Sequence, residues 1–228
     1  MNYAALSAAI QSYTENQFPD TYLADGSAVT SATQINQLIA QAEQRIYNSI
    51  QFPSLRKNVT GSLTANNKYL ACPNDFLAPY SIAIILADGS YEYLLNKDVN
   101  LIRQAYPKPS SVGTPQYYAL FGPQSAALNE LTFILGPTPD ASYGVELHYF
   151  YYPESITTAS TSWLGDNFDS VLLYGSLVEA YTFMKGEADL VTLYNTKYNE
   201  ALALAKRLGD GMERQDAYRS GQVRIKVT

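Results

Sequence analysis

The stretch WLGDNFDSVLLYGSLVEAYTFMKGEADLVTLYNTKYNEALALAKRLG, residues 163–209, restores a helical period after a long run of strand signals. Its first half places Val171, Leu172, Leu177, Val178 and Tyr181 on one side of a helix. Asp166 stands where an N-cap is needed, and Asp169 puts negative charge in the first turn, where the helix dipole favours it. Lys185-Gly186 reads as a stop, and Glu187 and Asp189 open a second helix with acidic first-turn residues. The apolar stripe of that helix runs through Leu190, Leu193, Tyr194, Tyr198, Ala201, Leu202, Ala205 and Leu208. Leu177 and Leu193 are therefore both expected in a core.

Upstream, from Asn58, short apolar or alternating runs are separated by Gly, Pro, Asn and Asp. NVTGSL, KYLA, SIAIIL, YEYLL, YYALF, LTFIL and VELHYFYY read as strands, and Asp88-Gly89 as a hairpin turn. Only DVNLIRQAY, residues 98–106, reads as a short helix here, stopped by Pro107. Residues 58–162 are thus expected to form a β-rich unit, a small sandwich or barrel.

Before that unit the helical period holds again. Tyr3, Leu6, Ile10 and Tyr13 are spaced three and four apart. SATQINQLIAQAEQRIYNSI, residues 31–50, carries a stripe of Ile35, Leu38, Ile39, Ala42 and Ile46, with capping-box spacing at Ser31 and Gln34. The expected class is α+β. Residues 1–57 and 163–208 would make a four-helix bundle from the N- and C-terminal helices, with 58–162 inserted as the β-rich sandwich or barrel and 209–228 left as an extended C-terminal tail.

The tail reads GDGMERQDAYRSGQVRIKVT. Gly209 and Gly211 are expected to stop the last helix. Arg214, Tyr218 and Arg219 follow, residue types enriched at binding hot spots. Val223, Ile225 and Val227 then alternate with Arg224, Lys226 and Thr228, as in a strand. A lone strand is unstable in water, so this segment is expected to pair with a sheet edge or groove on a partner.

Bulk properties exclude several classes. Hydrophobic residues make up 46% and charged residues 16% of the 228, a globular composition. A net charge of −6 argues against a grip on nucleic acid through phosphates. The longest apolar run, Tyr80 to Ala87, is too short to span a bilayer, so no membrane contact is expected. MNYAALSAAI has no basic stretch of a secretory signal, and a single cysteine, Cys72, suits synthesis in a reducing cytoplasm.

No catalytic set emerges. His148 is the sole histidine and has no second histidine with which to share a zinc ion, and Cys72 precedes Pro73 without a nucleophile signature. The acidic pairs Asp166/Asp169 and Glu187/Asp189 fall at helix starts, and Glu213/Asp216 falls in the tail. No metal, cofactor or enzymatic activity is expected. The unusual feature is twenty tyrosines against eight phenylalanines. Tyrosine fills strand and helix seams, and it also suits surfaces that bind other proteins or stack on sugars.

Several segments carry a family resemblance: P-x-DFL at residues 73–77, WLGDNFDSVLLYG at 163–175 and RQDAYRSG at 214–221, with QAEQRIYNSIQFPSLRKN and EYLLNKDVNLIRQAYP in the same order. The chain resembles the head-to-tail adaptor proteins of short-tailed bacteriophages, over most of residues 35–221. Residues 122–130, GPQSAALNE, look longer than that pattern. The resemblance implies a virion protein at the head-tail junction, in a twelvefold ring with itself. It implies the portal protein above, a tail nozzle or tail tube protein below, and genomic DNA passing through the lumen without specific binding. It further implies that the C-terminal segment, with Arg214, Tyr218, Arg219, Val223, Arg224, Ile225, Lys226 and Val227, docks on the portal. The competing readings are a carbohydrate- or receptor-binding tail module and a cell-wall hydrolase.

Overall fold

Helix α1 (Tyr3–Thr14) opens the chain, followed by strands β1 (Thr21–Tyr22) and β2 (Ala28–Val29) and helix α2 (Ser31–Ser49). Strands β3 (Arg56–Ser62), β4 (Tyr69–Ala71), β5 (Phe76–Ile85), β6 (Tyr91–Tyr93) and β7 (Leu95–Asn96) lead to helix α3 (Val99–Ala105). Strands β8 (Val112–Gly113), β9 (Tyr117–Phe121), β10 (Thr132–Gly136), β11 (Thr138–Pro139) and β12 (Gly144–Tyr151) come next. Helices α4 (Ile156–Ala159), α5 (Trp163–Asn167), α6 (Asp169–Phe183) and α7 (Ala188–Arg219) complete the series. This computed structural model describes residues 1–50, 52–108, 110–122 and 131–219. The class is α+β, in two units: Met1–Leu55 with Pro153–Thr228, and Arg56–Tyr152.

In the helical unit α6 is central. Val171, Leu172, Leu173, Leu177, Val178 and Tyr181 are all buried, because α6 packs against α1, α2 and α7 on different sides. The close approach runs through Gly175, where a Cβ would stand 3.2 Å from the Tyr198 ring of α7 and 3.5 Å from Ala42 of α2. The stripe of α2, from Ile35 to Ile46, is buried as its spacing predicts, and Leu6 and Ile10 anchor α1.

Four local expectations change. Asp166 is not an N-cap: it lies inside α5, whose cap is Ser162, accepting from the Gly165 N–H at 3.0 Å. Phe168 then interrupts the helix, so α6 starts at Asp169 without a side-chain cap. Thr30, not Ser31, caps α2 by accepting from the Thr33 N–H. Gln34 is buried and donates to the Pro19 and Val29 carbonyls, so its amide secures the preceding loop rather than a capping box. The return to helix comes at α4, earlier than Trp163.

The larger correction concerns α7. Gly209 and Gly211 do not stop it, and it continues to Arg219. Residues 209–219 are therefore helical rather than an extended tail. Each glycine costs a helix only about 1 kcal/mol relative to alanine, and the neighbouring Met212, Glu213, Arg214, Gln215 and Ala217 are good helix formers. The stop at Lys185-Gly186 holds, with Lys185 at φ 55 in the left-handed region.

The β unit contains two four-stranded sheets, in the orders β3-β12-β5-β6 and β4-β10-β9-β7. The first is antiparallel throughout, whereas β7 joins β9 in parallel in the second. They share a core of Phe76, Ile82 and Ile84 from β5, Leu147 and Tyr149 from β12, and Phe133 and Leu135 from β10. Phe76 meets Phe133 edge-on with ring centroids 5.3 Å apart. The arrangement is a sandwich; the described strands close no barrel, because each sheet ends on its own edges. Helix α3 covers the far side of the second sheet through Ile102, against Ala119 and Ile134. Gly89, at φ 82, makes the turn from β5 to β6, as Asp88-Gly89 predicts. Pro79 lies inside β5 at the shift where β12 passes from His148/Ser81 to Tyr149/Pro79, a place where a missing N–H is tolerated.

Candidate interfaces

Helix α7 carries part of the expected docking segment. Arg214, Tyr218 and Arg219 lie on its final turns, with positions 214 and 218 one turn apart along the same side. Val223, Arg224, Ile225, Lys226 and Val227 lie outside the described residues. Among described side chains of α7 the last buried one is Ala205, and the helix runs on roughly 20 Å further along its axis to Arg219.

Tyrosines hold the base of α7. Tyr194 packs 5.0 Å from Tyr181 and 6.5 Å from both Tyr13 and Tyr174, ring to ring. The Tyr181 hydroxyl donates to the Tyr13 carbonyl at 2.9 Å, tying α6 to α1. Burial and then the hydrogen bond to Tyr181 push the Tyr194 hydroxyl above its ordinary pKa. One turn on, the Arg45 guanidinium of α2 lies 5.9 Å from the Tyr198 ring and pairs with Glu179 of α6. These tyrosines fill helix seams. The other face of α7 is different: Leu193 is 49% exposed, Leu204 65% and Leu208 46%. The sequence stripe thus merges two faces, and Leu193 and Leu208 do not reach the core.

A second exposed surface is the outer face of the β3-β12-β5-β6 sheet. Strand pairing aligns Tyr93 with Ala83, Glu146 and Thr60, and His148 with Ser81 and Asn58. Tyr80, Tyr91 and Tyr93 are exposed, and the Arg56 guanidinium lies 5.0 Å from the Tyr80 ring and 5.8 Å from that of Phe150. Alternation along β12 sends Tyr149 inward and Phe150 outward, as the sequence requires.

The groups considered for chemistry are dispersed. Cys72 is buried in the sandwich core, whereas His148 points away from it toward the Ser81 hydroxyl, 3.3 Å from Nδ1. Glu146 beside it accepts from Asn58 at 2.6 Å. No cluster of three or more His, Cys, Asp or Glu suited to a metal ion occurs among the described residues. Two carboxylates that periodicity does not single out do matter. Glu43 of α2 is 3% exposed; burial raises its pKa, and it accepts the Ile156 N–H at 3.0 Å, fastening α4 to α2. Asp75, within the P-x-DFL motif, accepts from Lys57 of β3 and from the Tyr149 hydroxyl of β12, each at 2.7 Å. Partial burial works against its ionisation, but the two hydrogen bonds outweigh it and lower its pKa. The motif's aspartate therefore secures the corner where β3, β5 and β12 meet. Among the described residues no helix is long and apolar enough to cross a membrane.

The chain belongs to the SU10 adaptor protein family of bacteriophages, whose model matches residues 1–226. No curated protein matched it in sequence. The family is that of a structural virion component, consistent with a head-to-tail adaptor.

Proposed function

We propose that this phage adaptor joins head to tail as a twelvefold ring between the portal protein and a tail nozzle or tail tube protein. Genomic DNA passes through the lumen without specific binding. Helices α1, α2, α6 and α7 act as a four-helix bundle that holds the ring, and the β unit faces the tail machinery. Residues 209–228 reach the portal, with Arg214, Tyr218 and Arg219 carried by α7 and Val223, Arg224, Ile225, Lys226 and Val227 completing the contact. The observation that supports this reading most is the continuation of α7 beyond Ala205 to Arg219. A continuous helix holds recognition residues at a set distance, at a smaller entropy cost than a flexible tail.

Mixing the full chain with purified portal tests the proposal. The expected product is a complex in which the adaptor contributes about twelve times the 25.2 kDa of one chain, with twelvefold symmetry in electron micrographs. Deleting residues 209–228 should abolish docking and leave the melting temperature of the remaining protein within a few degrees. Full docking by the truncated chain would overturn the assignment of the C-terminal segment.

The exposed Tyr80, Tyr91 and Tyr93 favour a second reading, a carbohydrate- or receptor-binding module, since rings on a sheet face stack on sugars. Binding to host surface polysaccharide that is lost in a Tyr91→Ala/Tyr93→Ala variant would support it. No binding at millimolar sugar would remove it.

A further inference from the structure

The pentapeptide LADGS occurs twice, at residues 23–27 in the helical unit and at residues 86–90 in the β unit. Both copies make the same turn. In each, the leucine carbonyl accepts the glycine N–H at 2.9 Å, and the leucine N–H donates to the serine carbonyl at 2.9 Å. Gly26 and Gly89 share φ 82. The aspartate side chain closes the turn by reaching the residue two positions on. Asp25 Oδ1 accepts the Ser27 N–H at 2.9 Å and the Ser27 hydroxyl at 2.5 Å. Asp88 Oδ1 accepts the Ser90 N–H at 3.0 Å and the Ser90 hydroxyl at 2.6 Å.

An exposed Asp-Gly pair is open to a slow backbone reaction, because glycine puts no side chain in the way of ring closure. The glycine nitrogen attacks the aspartate Cγ and a C–N bond forms. The carboxyl OH leaves with the nitrogen's proton as water, giving a cyclic imide. Water then adds back. When it opens the bond to the former main-chain carbonyl, the product is isoaspartate, whose backbone runs through Cβ and is longer by a methylene. The neutral carboxyl loses its oxygen in this way, and the ionised carboxylate is a far poorer acceptor. Asp25, Gly26, Asp88 and Gly89 are all exposed. A Cβ on either glycine would meet nothing within 4 Å, so surrounding packing does not hold these turns closed.

We propose that Ser27 and Ser90 are positioning residues that hold Asp25 and Asp88 against isomerisation at these two turns. The serine hydroxyl first, and the serine N–H second, favour the ionised carboxylate and lower the pKa of each aspartate, so the reactive neutral form becomes scarcer. Swinging Cγ onto the glycine nitrogen would break both of these bonds, and the glycine N–H is itself engaged by the leucine carbonyl. The protection matters for the pairing of strands. Each turn sets the register of a hairpin, β1 with β2 and β5 with β6, and an added backbone methylene would disturb it. The third Asp-Gly pair, Asp210-Gly211, lies within α7 and has Met212 in place of the serine.

Incubating the full chain for weeks near neutral pH, followed by peptide mapping, tests this. A protease that cuts before aspartate but not before isoaspartate reads each Asp-Gly site separately. The Ser27→Ala/Ser90→Ala variant should accumulate isoaspartate at positions 25 and 88 several-fold faster than the unmodified chain. Position 210 should age equally in both. Threonine keeps the hydroxyl, so Ser27→Thr/Ser90→Thr should return the rate to that of the unmodified chain. Amide exchange at Gly26 and Gly89 should be the same in all three proteins, because the turn's backbone bonds do not involve the serine hydroxyl. Equal rates in the alanine variant and the unmodified chain overturn the proposal, as does a threonine variant that ages as fast as the alanine one. Faster ageing that comes with lost protection of the two glycine amides also overturns it, since the cause would then be an opened turn.

Discussion

Leu177 and Leu193 sit in neighbouring helices with similar local patterns, yet one is fully buried and the other 49% exposed. Leu177→Ala should cost about 2–5 kcal/mol, since α6 is enclosed and little can collapse into the space. Leu193→Ala should cost under about 1 kcal/mol. Chemical denaturation of the two variants checks the contrast, and equal losses would contradict the placement of α7. Glu43 gives a pH-dependent counterpart. Burial raises its folded pKa, so the folded chain holds that proton more tightly than the unfolded one. Stability from this group is present at low pH and falls as pH rises from its ordinary 4.5 through the raised value. Glu43→Gln keeps an oxygen to accept the Ile156 N–H and carries no charge. The variant's melting temperature should gain on the unmodified chain between pH 4 and pH 7; a gap that narrows instead would mean the ionised carboxylate is the stabilising form. Asp75 has the opposite sign. Its lowered pKa supplies stability above the ordinary 3.8 that is lost as pH falls below it.

At the scale of elements, the sequence marks strongly periodic segments well and boundaries poorly. The α2 stripe, the α6 face and seven strand segments are legible because burial on one side imposes a period of 3.6 or 2. The paired short strands β1/β2 and β8/β11 leave no such trace, since two residues carry no period. Which face of α7 meets α6 is also illegible, because two apolar stripes overlap along one helix and only the neighbouring helices decide between them. The end of α7 misleads for another reason. Gly209 and Gly211 are equally consistent with a C-cap and with a tolerated helix interior, and the helix-forming residues beyond them tip the balance. Of the residues proposed to dock, Arg214, Tyr218 and Arg219 lie on this helix, a conformation their types alone do not indicate. The element makes its own prediction. A Gly209→Ala/Gly211→Ala variant should gain helical ellipticity and slow amide exchange over residues 209–219, with up to about 1 kcal/mol of local stabilisation per site. Loss of helix in that variant would restore the glycine stop.

On the scale of the whole molecule, charge sets how a ring of such chains treats DNA. Without the four basic and three acidic residues of the C-terminal segment 209–228, the body carries −7, against −6 for the whole chain. Repeated around a ring, this sign repels a duplex that itself carries one negative charge per about 1.7 Å. Three cations of the body also pair with carboxylates within the protein: Lys57 with Asp75, Arg45 with Glu179 and Lys197 with Glu200. A lumen lined with free cations would instead bind DNA by releasing counterions, and would brake a genome moving through it. The assembled adaptor–portal complex should therefore show no measurable affinity for linear duplex DNA at about 150 mM salt, and its weak retention at low salt should vanish with a shallow salt slope. Filter binding across a salt series measures both. Tight binding at physiological salt, with the steep slope of many phosphate contacts, would mean that the ring gathers its few basic residues on the channel wall and grips the genome it is proposed to let pass.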